Sequence, residues 1–347
     1  CIRNADAFSG EDLQELRKSI EQGNLEHVDG GSCILRSMEA DYTHALVRLI
    51  GRIGEGLTVV VDGGNGVAGP LYCSILRAVG CTVHELFIEP DGTFPNHAAD
   101  PSKYVTLSVL RSEVVSKNAD LGFAFDGDGD RMGLVDHQGN IVTADQTLLL
   151  LAKDHLSRHQ GKPVVFTVSN SSLLETEVRS WSGVPRMCKV GHSFVEHAMH
   201  EHHAMLGGEQ SGHYFCAEDY YQFDDAIVAT LRILSLAQAQ GLNGKTLSDI
   251  LTTFPTVFQA EERRPFCADD AKAEVVARAT EYFKRLYPVI TLDGVRIDFG
   301  EGAWAGIRYS NTSPCLSICI EARSEERLQE VEHEVLEYLR TEKEVDV

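Results

Sequence analysis

Leu121-Gly-Phe-Ala-Phe-Asp-Gly-Asp-Gly-Asp-Arg131 runs from a short apolar stretch straight into a loop of aspartates spaced by glycine. A brief apolar run bounded by turn residues has the pattern of a strand buried on both faces. Leu57-Thr-Val-Val-Val-Asp62 has the same texture and passes through Gly63-Gly-Asn-Gly66 into an amphipathic stretch, Leu71 to Val79. Cys81–Leu86 reads as another strand, and Leu107–Lys117 as the helix that leads into Leu121. Strands alternating with helices predict an α/β fold with mixed, mainly parallel sheets.

The rhythm repeats further on. Asp145–His155 reads as a helix, Val164–Val168 as a strand and Leu173–Ser180 as a helix. Gly191–Glu201, a turn at Gly207-Gly208 and a long helix Asp224–Ala239 follow. Beyond Thr253-Phe-Pro255 the texture changes. A helix near Asp269–Leu286, strands near Val295–Phe299, Ala305–Ser310 and Leu316–Glu321, and a helix Glu325–Arg340 predict a closing α+β domain. At the front, Ser9 caps a helix to Glu21, with Asp12 three residues on and Leu13, Leu16 and Ile20 at helical spacing.

Composition narrows the function. The 347 residues carry a formal net charge of −21, and 43% are hydrophobic, enough for packed cores. Such acidity argues against nucleic acid and anionic membranes, which require a basic footprint. A small anionic substrate needs a local concentration of Arg, Lys, His, backbone N–H groups or metal. The nine cysteines are scattered without a Cys-x-x-Cys pair, which predicts free thiols in a reducing compartment. No ~18-residue apolar run occurs, so a cytoplasmic protein is expected.

The chemistry concentrates in three loops. Asp126, Asp128 and Asp130 alternate with glycine, so their carboxylates can turn inward and share a cation; oxygen ligands of this kind suit Mg²⁺. The EF-hand alternative fails, because Arg131 stands at its sixth position and His137 at its twelfth. In Gly207-Gly-Glu-Gln-Ser-Gly-His213, Glu209 and Ser211 suit sugar hydroxyls, which donate and accept, and His213 suits proton transfer. In Arg308-Tyr-Ser-Asn-Thr-Ser-Pro314, a forked cation and the neutral donors Ser310, Asn311 and Thr312 suit phosphate. Two other patterns read blandly. Gly64, Gly66 and Gly69 meet a dinucleotide spacing but suit a tight strand-to-helix turn, and His197, His200, His202 and His203 suit a solvated helix end.

Together, Asp-Gly-Asp-Gly-Asp-Arg, Gly-Glu-x-Ser-Gly and Arg-x-Ser-Asn-Thr-x-Pro, in this order, resemble the α-D-phosphohexomutase family, as does Val59-Val-Val-Asp-Gly-Gly-Asn-Gly66. The resemblance runs from about Phe8 to Leu339 and implies four domains around one cleft. On that pattern, 1–40 is a remnant of domain I, 41–143 is domain II, 144–253 domain III and 254–347 domain IV. The implied activity interconverts hexose 1-phosphate and hexose 6-phosphate, of mannose or glucose, through a phosphoserine and a bisphosphorylated sugar. Mg²⁺ on the three aspartates and a hexose 1,6-bisphosphate activator are implied with it. Arg131 would steady the phosphoserine phosphate, and His213 would move a proton. His192, Glu209 and Ser211 would contact the sugar, and Arg308, Ser310, Asn311 and Thr312 the non-reacting phosphate. Small hexose phosphates are the expected partners, and the expected state is monomer or dimer.

The family's phosphoserine sits in a Ser-His-Asn-Pro loop, and no such tetrapeptide occurs here. The resemblance begins at the helix that follows that loop, so the expectation is a chain that lacks it and is inactive alone. Some dual-specificity members carry a basic residue near Ser169, where Val168-Ser-Asn-Ser-Ser172 has none. That leaves the hexose open, with a phosphoglucosamine mutase as one alternative and a non-catalytic phosphosugar-binding chain as the other.

Overall fold

The computed structural model describes residues 2–3, 6–7, 11–23, 30–310 and 313–346. They gather into two compact units: residues 1–143, 192–207 and 211–245 form the first, and residues 144–191, 208–210 and 246–347 the second.

The first unit is built on a mixed five-stranded sheet. Its order is Thr82–Leu86, Thr58–Asp62, Leu121–Phe125, Met132–Asp136, Ile141–Val142. Thr58–Asp62 runs parallel to both neighbours, and the last two strands join antiparallel. Val59, Val60 and Val61 are fully buried, as a continuous apolar run requires. Helix Ser108–Ser116 packs Leu110 and Val114 against Val60, Ala124 and Val135. Helix Ala226–Gly241 starts at Asp225, whose carboxylate accepts the Val228 N–H. Sequence reading missed strand Met132–Asp136 and helix Glu39–Ile50. That helix is pinned by one fully buried side chain, Leu46, and by the Tyr42 hydroxyl donating to Asp225 Oδ2 at 2.6 Å. One buried residue in three turns leaves little periodic signal. Helix Glu11–Glu21 forms, with Leu13, Leu16 and Ile20 exposed; Ser9, its expected cap, lies outside the described residues.

The second unit holds the parallel pair Pro163–Thr167 and Val184–Cys188, with helices Ala144–Arg158 and Ser172–Ser180. It also holds a five-stranded antiparallel sheet, ordered Phe258–Gln259, Leu316–Ala322, Ala303–Tyr309, Val295–Gly300, Val289–Ile290. Helices Lys272–Phe283 and Glu325–Leu339 supply Phe283 and Val335 to a core with Ile297, Ala305, Ile307, Ile318 and Ile320. Side chains alternate across a strand, so Arg296, Trp304, Arg308, Ser317, Cys319 and Glu321 take the opposite face. That face is polar but covered: Arg296 is 7% exposed and Glu321 0%. Glu321 accepts from Ser172 Oγ at 2.6 Å, and from Gln259 Nε2 and Trp304 Nε1, each at 3.0 Å. The Arg296 guanidinium lies 3.4 Å over the Trp304 ring and donates to the carbonyls of Val168 and Asn170.

The expected turn at Gly207-Gly208 is instead the end of a short buried strand, Leu206–Gly208. Neither glycine has a positive φ, so the backbone there is extended and does not reverse.

Candidate functional site

The aspartate loop folds around its first carboxylate. Asp126 is 2% exposed; its Oδ1 accepts the Gly129 and Arg131 N–H groups, both at 3.0 Å, and its Oδ2 accepts Arg131 Nε at 2.7 Å. The Tyr72 hydroxyl donates to the Gly129 carbonyl at 2.7 Å. Gly63–Gly66 is a strand-to-helix turn that leaves room for this loop. A Cβ on Gly66 would sit 2.7 Å from the Asp126 carbonyl oxygen and 2.8 Å from that of Gly127. Only glycine permits that approach.

Asp126, Asp128 and Asp130 each offer a carboxylate oxygen within 4.8 Å of the others. Burial pushes the Asp126 carboxyl above its ordinary value. Burial also acts on Asp130, but its hydrogen bond to His213 and that residue's charge hold it below the ordinary range. Two carboxylates this close share one proton more readily than they carry two charges. A divalent cation relieves the same conflict, and three hard oxygen donors fit Mg²⁺. Arg131 also pairs, through Nη1, with Asp100 Oδ1 at 3.0 Å. Asp100 lies 26 residues upstream of the loop, outside any motif.

Against this loop lies His213. Its backbone bridges to Arg131, and the Gly212 carbonyl accepts the Met132 N–H at 3.0 Å. Nδ1 of His213 is 2.8 Å from Ser211 Oγ, and Nε2 is 3.3 Å from Asp130 Oδ1 and 3.9 Å from Asp224 Oδ2. Burial raises the Asp224 carboxyl. Sequence reading took Asp224 as the start of a long helix and gave it no role at the site; the helix starts at Ala226, capped by Asp225. His192, exposed at the start of helix His192–His202, has its ring 6.1 Å from that of His213. His197, His200 and His203 are exposed and His202 half-buried, as a solvated helix end requires.

The second unit carries the rest. Glu209 is 3% exposed, and its Oε1 accepts the Gly191 N–H at 2.7 Å. The adjacent Val190 N–H donates to Asp293 Oδ2 at 3.1 Å. Gly294 then turns with φ +68 against the strand of Arg308, where a Cβ would meet the Ile307 carbonyl oxygen at 2.3 Å. A backbone relay therefore runs from the carboxylate of one loop to the strand bearing the arginine of another. Arg308 is half-buried, and its buried Nε has no hydrogen-bond partner among the described residues. Ser310 is 3% exposed, and its Oγ accepts from the Ser313 N–H at 3.2 Å and from Arg264 Nη2 at 3.3 Å. Lys272 Nζ donates to the carbonyls of Ser310, at 2.6 Å, and Ser313, at 3.3 Å. Asn311 and Thr312 lie outside the described residues. Neither Arg264 nor Lys272 belongs to a motif, and sequence reading missed both.

Among the described residues, Cys33 is an exposed free thiol and seven other free cysteines are buried. Burial pushes Cys73, Cys81, Cys188 and Cys216 up to about 12, so none is a thiolate at neutral pH. No helix of the described residues is long and apolar enough to cross a membrane.

Residues 40–139, 143–258 and 261–338 match, in turn, the phosphoglucomutase/phosphomannomutase alpha/beta/alpha domain II, alpha/beta/alpha domain III and C-terminal domain. A phosphomannomutase/phosphoglucomutase of Pseudomonas aeruginosa is 36% identical over 337 residues, covering 94% of this chain and 69% of the relative. A phosphoglucomutase of Neisseria meningitidis is 33% identical over 335 residues, covering 95% of this chain and 71% of the relative. The crystal structure of a phosphoglucomutase/phosphomannomutase family protein from Burkholderia thailandensis matches with a TM-score of 0.86 at 32% identity, over 97% of this chain and 71% of that one.

Proposed function

We propose, since this chain belongs to the phosphoglucomutase/phosphomannomutase family, that it serves the interconversion of hexose 1-phosphates and hexose 6-phosphates. The observation that carries this reading is the set of three aspartates, each with an oxygen within 4.8 Å of the others, abutted by Arg131. Asp126, Asp128 and Asp130 would hold Mg²⁺, which supplies charge neutralisation for a phosphoryl group in transfer.

The chain's own residues divide the remaining work. Arg131 engages Asp126 and Asp100 through Nε and Nη1, and its Nη2 is the donor that would meet a phosphoryl oxygen. His213 stands within hydrogen-bond reach of Ser211 and near Asp130, where it can take a proton from an attacking sugar hydroxyl. His192, Glu209 and Ser211 read the sugar; Arg308 and Ser310, with Asn311 and Thr312, hold the phosphate that does not react. Because the two ends of the sugar exchange roles, donors of permanent charge suit the phosphate site better than groups fitted to one orientation. The phosphoryl donor is a phosphoserine, a hexose 1,6-bisphosphate acts as intermediate and activator, and the cytoplasm is the setting. The four-domain partition expected from sequence accompanies this reading.

The test supplies the protein, as its gene encodes it, with glucose 1-phosphate, Mg²⁺ and glucose 1,6-bisphosphate. Mg²⁺-dependent formation of glucose 6-phosphate is expected. Tight hexose phosphate binding without turnover would overturn the mutase reading in favour of a binding protein. Competition among glucose, mannose and glucosamine phosphates then settles which sugar is preferred.

A further inference from the structure

We propose that Arg264, outside every motif, is a second guanidinium for the substrate phosphate held by Arg308 and Ser310. The proposal rests on the phosphate-site reading above and names a further residue of that site.

Two adjacent arginines are placed differently. Arg263 is committed to structure: it forms an ion pair with Glu332 at 2.9 Å. Arg264 is loosely held. Its Nη1 lies 3.5 Å from Glu262 Oε2, and its Nη2 reaches Ser310 Oγ at 3.3 Å and Cys315 Sγ at 3.6 Å. With 39% of its side chain exposed, the guanidinium lies at the loop, not in the core. Its fork has donors to spare, and phosphate suits that fork.

Local charge supplies the reason a second arginine is needed. Glu262 is not a free surface carboxylate: its Oε1 accepts the Ser317 hydroxyl at 2.5 Å, and Ser317 is the cross-strand partner of Arg308. A carboxylate is therefore held, through Ser317, on the strand position opposite the motif arginine, and it lowers the net charge of the group. Lys272 does not restore the balance, because its ammonium is paired with Asp269 at 2.6 Å and spent on two loop carbonyls. Arg308 and Glu262 alone sum to zero, and a dianionic phosphate gains little from a neutral pair. Arg264 makes the group net positive and aims its donors at the serine Arg308 shares the loop with.

The purified protein is titrated calorimetrically with glucose 6-phosphate, inorganic phosphate and glucose. Arg264→Gln is expected to weaken both phosphate ligands about tenfold, or ~1.4 kcal/mol, with the thermal midpoint unchanged. Arg264→Lys, which keeps the charge and loses the fork, is expected to fall between; it serves as the test if the Gln variant misfolds. Arg308→Gln is the internal standard. If the parent protein binds no phosphate ligand, the phosphate-site reading fails and the proposal with it. If the parent binds and Arg308→Gln weakens binding, while the folded Arg264 variants stay within twofold of the parent, the role of Arg264 alone is overturned.

Discussion

Asp128 is the exposed member of its trio, whereas Asp126 is buried and holds the loop's backbone. The proposed ligand role and the observed scaffold role therefore fall on different residues of one motif. Asp128→Asn should leave unfolding free energy within ~0.5 kcal/mol, the range of ordinary surface changes. In the protein as its gene encodes it, the change should lower Mg²⁺-supported mutase activity by about 10²-fold or more, the scale of losing one electrostatic element of a transition state. Activity retained with Mg²⁺ as the only divalent ion would sink the ligand assignment. Asp145 poses the converse case, a buried carboxylate far from any motif. Its oxygens accept from Asn170 Nδ2, the Ser171 N–H and Gln259 Nε2 at 2.8–3.0 Å, all neutral donors. Burial raises its carboxyl above the ordinary value of 3.8, those hydrogen bonds opposing. The folded state therefore binds the proton more tightly than the unfolded chain. Its stability contribution is present below the unfolded pKa and falls as pH rises through the raised folded value. Asp145→Asn removes that titration, so in urea unfolding from pH 4 to 8 the variant should gain on the parent as pH rises. Parallel pH profiles would show that the buried carboxyl is not shifted.

At the scale of elements, the sequence made strands legible and left their second faces blank. Val295-Arg-Ile-Asp-Phe299 alternates as a half-exposed strand should, and alternation alone sends Arg296 to water. Arg296 is instead 7% exposed, and burial pulls it down to about 10. What covers it, the backbone of Val168 and Asn170, lies over 120 residues away in sequence. Periodicity reports that a strand has two faces, not what packs on them. The same limit explains Lys272, which falls inside the helix read near Asp269–Leu286 with nothing to single it out, yet donates to the Ser310 and Ser313 carbonyls of the loop after Tyr309. Lys272→Met keeps the alkyl stem and removes both carbonyl contacts. It should destabilise the second unit by about 1–2 kcal/mol and speed amide exchange in the loop between Tyr309 and Leu316. Unchanged exchange there would mean the loop holds its shape without the lysine.

Across the whole molecule, the three loops were readable because each packs its chemistry into six or seven consecutive residues, while their supports were not. Asp100, Asp224, Arg264 and Lys272 come from elsewhere in the chain and have no local pattern of their own. Glu321 extends that lesson to the architecture of the second unit. It lies on the last long strand of the antiparallel sheet, accepts from Trp304 on the neighbouring strand, and accepts from Ser172 at the start of a helix about 150 residues earlier. Glu321→Ala strands four donor groups, on Ser172, Gln259 and Trp304, at once, and removing their shared acceptor costs roughly 3–5 kcal/mol. Glu321→Gln, which keeps one acceptor oxygen, should cost less. The informative readout is which strands lose protection in native-state amide exchange. If Pro163–Thr167 and Leu316–Ala322 lose protection together, the polar contact makes one cooperative unit of segments the sequence presents as separate αβ and α+β blocks. If only Leu316–Ala322 is affected, each block folds on its own core, and the Glu321 network orients that strand without joining the two.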